Sequence, residues 1–251
     1  MYQSILLFSL IALAIVCQHP SEAIIGGKKS QIEKSPWNVA VKTSPPQSFE
    51  EFYCGGSILT RNFVVTAAEC LYNLHPSDIV ILYRTDNLLD PPTLRMNVTK
   101  IYMDSYKPET KENNIALLQT SEMLLLDGKK SSTIDLPVKG FDPTARSTIY
   151  VSGYGDAQLD ETSSQLNAAN LTVVDKTECQ TRYGQTTLDA RVFCAEASDV
   201  IFEKGDAGDP AVQNRRLVGM YSYQQTKIPG RPDLFTRIGD YVDWIRTIIK
   251  E

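Results

Sequence analysis

The chain has 251 residues, 42% of them hydrophobic and 22% charged, and a formal net charge of −5. That is enough chain to bury a sizeable core, as one all-β unit or as two small domains. The mildly acidic balance argues against a nucleic-acid or heparin partner held by charge alone, because Lys28-Lys29, Lys129-Lys130 and Arg215-Arg216 are isolated pairs that read as solvated turns.

The first element is apolar. Residues 5–16 (ILLFSLIALAIV) are well short of the roughly 20 residues that a membrane span needs. They fit the hydrophobic region of a secretory signal peptide, and Ser21-Glu22-Ala23 fits its cleavage site, although the leading MYQS carries no Lys or Arg. The expected organisation is a signal peptide over 1–23 and one mature domain over 24–251. Glu22 is the only acid removed and no base goes with it, so the −5 of the whole chain becomes −4. Cys17 and His19 also leave, and the mature chain keeps four cysteines and one histidine, His75. An even cysteine number on an exported chain implies two disulfides, with three pairings open. Asn97 and Asn170 each begin an Asn-x-Thr sequon, which suits the same extracellular compartment. No second apolar stretch of spanning length follows, so no membrane attachment is expected after cleavage.

From Ile24 onward short apolar stretches recur, at residues 37–41, 57–60, 63–67, 79–83, 115–118, 148–151, 171–174 and 217–221. Turn-forming clusters separate them, among them SPPQ at 44–47, DNLLDPP at 86–92, DGKKSS at 127–132 and GFDP at 140–143. The pattern predicts an all-β sandwich or barrel rather than βαβ units. A short helix is expected over 175–183. A clearer one closes the chain at 239–250, where Tyr241, Trp244, Ile245, Ile248 and Ile249 form one apolar stripe and Asp240 stands ready to cap its start.

Seven segments carry a family likeness, in order: IIGG at 24–27, PWNVAV at 36–41, YCGGSILTRNFVVTAAEC at 53–70, NNIALLQT at 113–120, GYG at 153–155, GDAGDP at 205–210 and PDLFTRIGDYVDWI at 232–245. On these segments the chain resembles trypsin-like serine proteases of the chymotrypsin fold, over its whole mature length. The resemblance implies two packed six-stranded antiparallel β-barrels, a cleft between them and a C-terminal α-helix.

That family cleaves peptides with a serine nucleophile, a histidine base and an aspartate that orients the base. The resemblance places Glu69 where the family has His, Asn114 where it has Asp, and Ala207 where it has Ser. A methyl group cannot attack a carbonyl. His75 lies six residues beyond Glu69, beside Pro76, and reads as a surface residue. Loss of a triad costs about 10⁶ in turnover, so no catalytic residue is expected, and no cofactor or metal is implied.

Other family features persist. Gly205 and Ala207 keep the backbone N–H groups of a residual oxyanion hole. Asp206 matches the acid that pairs with the new N-terminal ammonium of activated members, here Ile24. Ala23 stands where those members carry Arg or Lys, so signal cleavage alone is expected to expose Ile24. The resemblance also implies the disulfides Cys54–Cys70 and Cys179–Cys194, while Glu203 occupies one position of a third bridge. Three residues are expected to occlude the substrate pocket: Ile201 at its floor, and Gln224 and Asp233 where the family usually has glycine.

The expected function is that of a secreted binding protein on a dead protease scaffold. A triad lost at all three positions, on a mite group 3 allergen-like frame, resembles the inactivated protease paralogues of the scabies mite. That resemblance implies inhibition of host complement proteins, after secretion into the gut and release with faeces. Residues 43–53 (TSPPQSFEEFY) and the pair Tyr221 and Tyr223 are candidate contact surfaces. Two alternatives stand beside it. One is an active hydrolase with rearranged residues, which changing Glu69 or His75 would silence. The other is a decoy for protease substrates or inhibitors, which an occluded pocket disfavours.

Overall fold

A computed structural model describes residues 24–43, 52–91, 93–155, 164–184, 188–203, 205–222 and 230–250. The expected signal peptide at 1–23, Tyr223, Gln224 and residues 44–51 of the first candidate surface lie outside them.

The first barrel is built from β2 (Asn38–Thr43), β3 (Phe52–Thr60), β4 (Phe63–Thr66), β5 (Ile79–Tyr83), β6 (Leu94–Met103) and β7 (Ala116–Thr120), after a two-residue β1 (Lys28–Lys29). Its closed order is β2-β3-β4-β7-β6-β5. Side chains alternate across each strand. In β2, Val39 and Val41 enter the barrel core with Ile58, Val64, Ile81 and Leu118, while Ala40 packs outside with Ile32, Leu82 and Tyr154.

The second barrel uses β8 (Thr148–Gly153), β9 (Asn167–Val174), β10 (Val192–Glu196), β11 (Pro210–Gln213), β12 (Arg216–Ser222) and β13 (Asp233–Arg237). The sheet runs β9-β10-β13-β12-β11-β8, and antiparallel pairing of β8 with β9 closes it. β1 adds to β9 at Lys28↔Ala168. Ile149, Val151, Leu171, Val173, Phe193, Val218 and Phe235 fill the interior. This is the all-β, two-barrel architecture expected from the motifs.

The barrels meet along a third apolar cluster that includes Val65, Ile115, Leu117, Val212, Leu217 and Met220. Polar contacts reinforce the joint: Asn38 Nδ2 donates to the Ser152 carbonyl (2.7 Å), and Ser152 Oγ donates to Asn38 Oδ1 (2.9 Å). Both expected disulfides form, Cys54–Cys70 and Cys179–Cys194.

Two α-helices complete the fold. α1 (Lys176–Tyr183) starts at Asp175, whose carboxylate accepts from the N–H groups of Thr177 (2.8 Å) and Glu178 (3.1 Å). α2 (Val242–Ile249) buries Val242 and Ile245, and Ile245 joins the inter-barrel cluster. Asp240 does not cap it. A 3-10 turn over Ile238–Asp240 comes first, and the Asp240 carboxylate takes Nε (2.6 Å) and Nη2 (3.1 Å) of Arg237. A forked guanidinium three residues away outbids a single backbone N–H.

Candidate functional site

Glu69, Asn114 and Ala207, the positions that the resemblance matches to the triad, converge at the edge of the joint. Glu69 lies in a 3-10 turn, Ala68–Cys70, that follows β4 and is anchored by the Cys54–Cys70 bridge. Asn114 sits just ahead of β7, and Ala207 lies in the turn that leads into β11. That turn presses on the first barrel: the Gly55 N–H donates to the Ala207 carbonyl at 2.8 Å. Gly208 holds φ +89, and a Cβ there would lie 2.3 Å from the Gly55 carbonyl oxygen, so only glycine fits.

Asn114 organises the polar groups. Its Oδ1 accepts from the Glu69 N–H (2.9 Å), and its Nδ2 donates to Glu69 Oε1 (2.8 Å) and to Ser222 Oγ (2.9 Å). Its carbonyl accepts from Thr236 Oγ1 at 3.1 Å, which ties it to β13. The other Glu69 oxygen, Oε2, takes Lys111 Nζ at 3.1 Å. The Glu69 side chain is 8% exposed and that of Lys111 29%. Burial pulls the Lys111 ammonium down, but Glu69 and Tyr106 more than offset it, so the group is held above its usual range. Burial likewise raises the Tyr106 phenol, against which Tyr72 packs edge-on at 5.8 Å between centroids.

This arrangement pairs no nucleophile with a base. Position 207 offers a methyl group, the carboxamide of Asn114 does not titrate, and the Glu69 carboxylate is engaged on both oxygens. His75 is remote from the chemistry. It caps the 3-10 turn Pro76–Asp78, its Nδ1 lying 2.9 Å from Ser77 Oγ while its N–H donates to Asp78 Oδ2 at 2.8 Å.

Where the resemblance puts the pocket floor, the buried side chain is that of Phe202 and not of Ile201. Ile201 pairs through its N–H with the Ile25 carbonyl (2.9 Å) and stays 36% exposed. Phe202 is 4% exposed, stacks on Tyr221 at 4.5 Å and meets Phe235 edge-on at 5.9 Å. Asp233 is half-buried on β13; after burial itself, its charge is the largest influence raising the Tyr221 phenol. Sequence reading passed over Phe202 and Lys111. The run Val200-Ile201-Phe202 signalled burial without saying which residue turns inward.

Ile24 is fully buried, with its nitrogen 3.4 Å from Asp206 Oδ1. The other Asp206 oxygen accepts from the Glu203 N–H at 2.7 Å. Burial raises the Asp206 carboxyl to about 7. Among the described residues, no backbone carbonyl accepts from the N–H of Gly205 or Ala207. Asn97 on β6 and Asn170 on β9 are exposed, with Thr99 and Thr172 on the same faces. Among the described residues no three His, Cys, Asp or Glu side chains gather as a metal site, and no helix is long and apolar enough to cross a membrane.

Comparison with known proteins agrees with this geometry. Two solved structures superpose closely. Scabies mite inactivated protease paralogue S-I1 has a TM-score of 0.86 and 45% identity over 90% of this chain and 99% of its own. Paralogue S-D1 has a TM-score of 0.83 and 41% identity over 90% and 97%. Trypsin Blo t 3 of Blomia tropicalis is 30% identical over 235 residues, 89% of this chain and 85% of its own. Trypsin Tyr p 3.0101 of Tyrophagus putrescentiae is 28% identical over 237 residues, 90% and 80%. The family described as Trypsin matches residues 24–245, and the chain therefore belongs to the trypsin family.

Proposed function

We propose that this chain is a secreted, proteolytically inactive trypsin homologue that acts as a binding protein and inhibits host complement. One observation carries the loss of activity: Ala207 stands at the nucleophile position while Glu69, at the base position, is engaged by Asn114 and Lys111. The likeness to inactivated protease paralogues supports it. So does the aromatic stack of Phe202 on Tyr221, which puts buried rings where the family keeps an open substrate pocket. Gly205 and Ala207 retain the oxyanion-hole amides as a relic of the turn.

Maturation occurs before Ile24. That residue is β-branched, fully buried and held at φ 44, a strained value for such a side chain. Cutting the preceding peptide bond removes that dihedral constraint and delivers an ammonium to Asp206. N-terminal sequencing of secreted protein should begin at Ile24; a start at Gln18 or His19 would refute this. The exposed sequons at Asn97 and Asn170 accept glycans in the secretory pathway, which a mobility shift on deglycosylation would register.

The deciding experiment is lysis of antibody-coated red cells by human serum, with protein spanning 24–251 added in a dose series. Dose-dependent protection is expected. No protection at micromolar protein would remove the complement reading. Cleavage of a broad peptide library, lost in Glu69→Gln, would remove the inactive one.

A further inference from the structure

Asp209 is the side chain least accounted for by the site described above. It is 0% exposed, and neither carboxyl oxygen meets a hydrogen-bond donor among the described residues. A Cβ on Gly55 would lie 2.0 Å from Asp209 Oδ1, and one on Gly153 would lie 1.7 Å from Oδ2. The carboxyl is therefore wedged between β3 of the first barrel and β8 of the second, in space that only glycine on both strands leaves open. The backbone that carries it is pinned: the Asp209 N–H donates to the Asp206 carbonyl and its own carbonyl accepts from the Tyr221 N–H, both at 2.9 Å.

Among the described residues no Lys or Arg side chain stands against it. Asp206 faces it from the same turn, and Tyr154 from the residue after β8. β3 brings the disulfide-bonded Cys54 and β4 ends at Thr66, neither of which titrates here. Tyr221 of β12 bonds it through the backbone. Glu203 acts on Asp206 from the preceding loop, and among the described residues no Lys or Arg acts on either carboxyl. A buried carboxylate without donors is far costlier than the neutral acid, and two adjacent ones do not both ionise. Burial first, and the neighbouring Asp206 second, push Asp209 well above the ordinary 3.8.

We propose that Asp206 and Asp209 share one proton and form a pH-sensitive joint between the barrels, tight while the proton is held and loosened once both carboxyls ionise. The Ile24 ammonium that maturation supplies faces Asp206. It keeps that carboxyl ionised and leaves the proton on Asp209. The sign follows from linkage. The folded state holds a proton that the unfolded chain releases near 3.8. Stability from the pair is thus complete in acid and is lost as pH rises towards the folded pKa.

The test is urea unfolding of the secreted protein and of Asp209→Asn between pH 5 and 9. Relative to the variant, the wild-type folding constant should fall as pH rises from 5, by at most about tenfold per pH unit, the slope of one proton, and level off once the pair has lost its proton. Parallel curves would overturn the proposal. Carboxyl ¹³C resonances of aspartate-labelled wild type decide it even if the variant does not fold. One buried carboxyl still protonated at neutral pH is expected; a carboxyl ionising in the ordinary range at both positions would overturn it.

Discussion

Two carboxyl groups, Glu69 and Asp209, lie in turns that meet at the joint between the barrels, and the chain treats them in opposite ways. Glu69 has both oxygens engaged, one by Asn114 and one by Lys111. Asp209 has neither engaged among the described residues. The difference is access. The Glu69 side chain opens towards a rim that a flexible lysine stem can reach while its ammonium keeps some water. Asp209 lies between the barrels, where glycine on each flanking strand leaves room for its carboxyl. A polar site that loses its chemistry can be rewired at the edge of a cleft; beneath it, protonation is the remaining route to neutrality.

The sharpest way to break this comparison is to remove the packing behind the buried cluster. Phe202→Ala deletes the ring that stacks on Tyr221 and should cost about 3–5 kcal/mol in urea unfolding. A loss below about 1 kcal/mol would mean that the nucleophile turn does not lean on that stack. Next comes the anchor of the rewired cluster. Removing the Cys54–Cys70 bridge as a pair of alanines should cost about 3 kcal/mol, since it closes a loop with a separation of 16.

Asn114 is the hub. Asn114→Ala strands the Glu69 N–H and the Ser222 hydroxyl and should cost about 2 kcal/mol. Asn114→Asp sharpens the contrast, because it sets a second carboxylate beside Glu69. One of the two must then take up a proton in the folded state, so the variant should be nearest wild type in acid and fall behind as pH rises through the raised value. Thermal unfolding at pH 5 and pH 8 reads the sign, and equal deficits at both would refute it. The smallest effect belongs to Lys111→Met, about 1 kcal/mol, because the ammonium is part-exposed and screened. Its cost should shrink further in high salt; a salt-independent loss would show that the stem, not the charge, matters.

Much of the frame was legible before any coordinate. The apolar stretch at 37–41 announced a strand, and the stripe from Tyr241 to Ile249 announced the last helix, because both signals are local. Its capping residue was misread for an equally local reason: Asp240 had a better donor in Arg237. The site was only half legible. Ala207 excluded a hydroxyl nucleophile on sight. Lys111 looked like any charged turn residue, since its partner lies 42 positions earlier in the chain. Phe202 hid behind Ile201, because a run of apolar residues says that something is buried and not which ring turns inward.

By itself the sequence determined the all-β class, the closing helix and the absence of a hydroxyl at 207, because each rests on residue identity or on a short period. Tertiary structure alone decided that Glu69 would find a lysine and that, among the described residues, Asp209 would find none. Burial and pairing are set by which strands close over a side chain, and in GDAGDP the aspartate that ends up driest is written in the composition of an exposed turn.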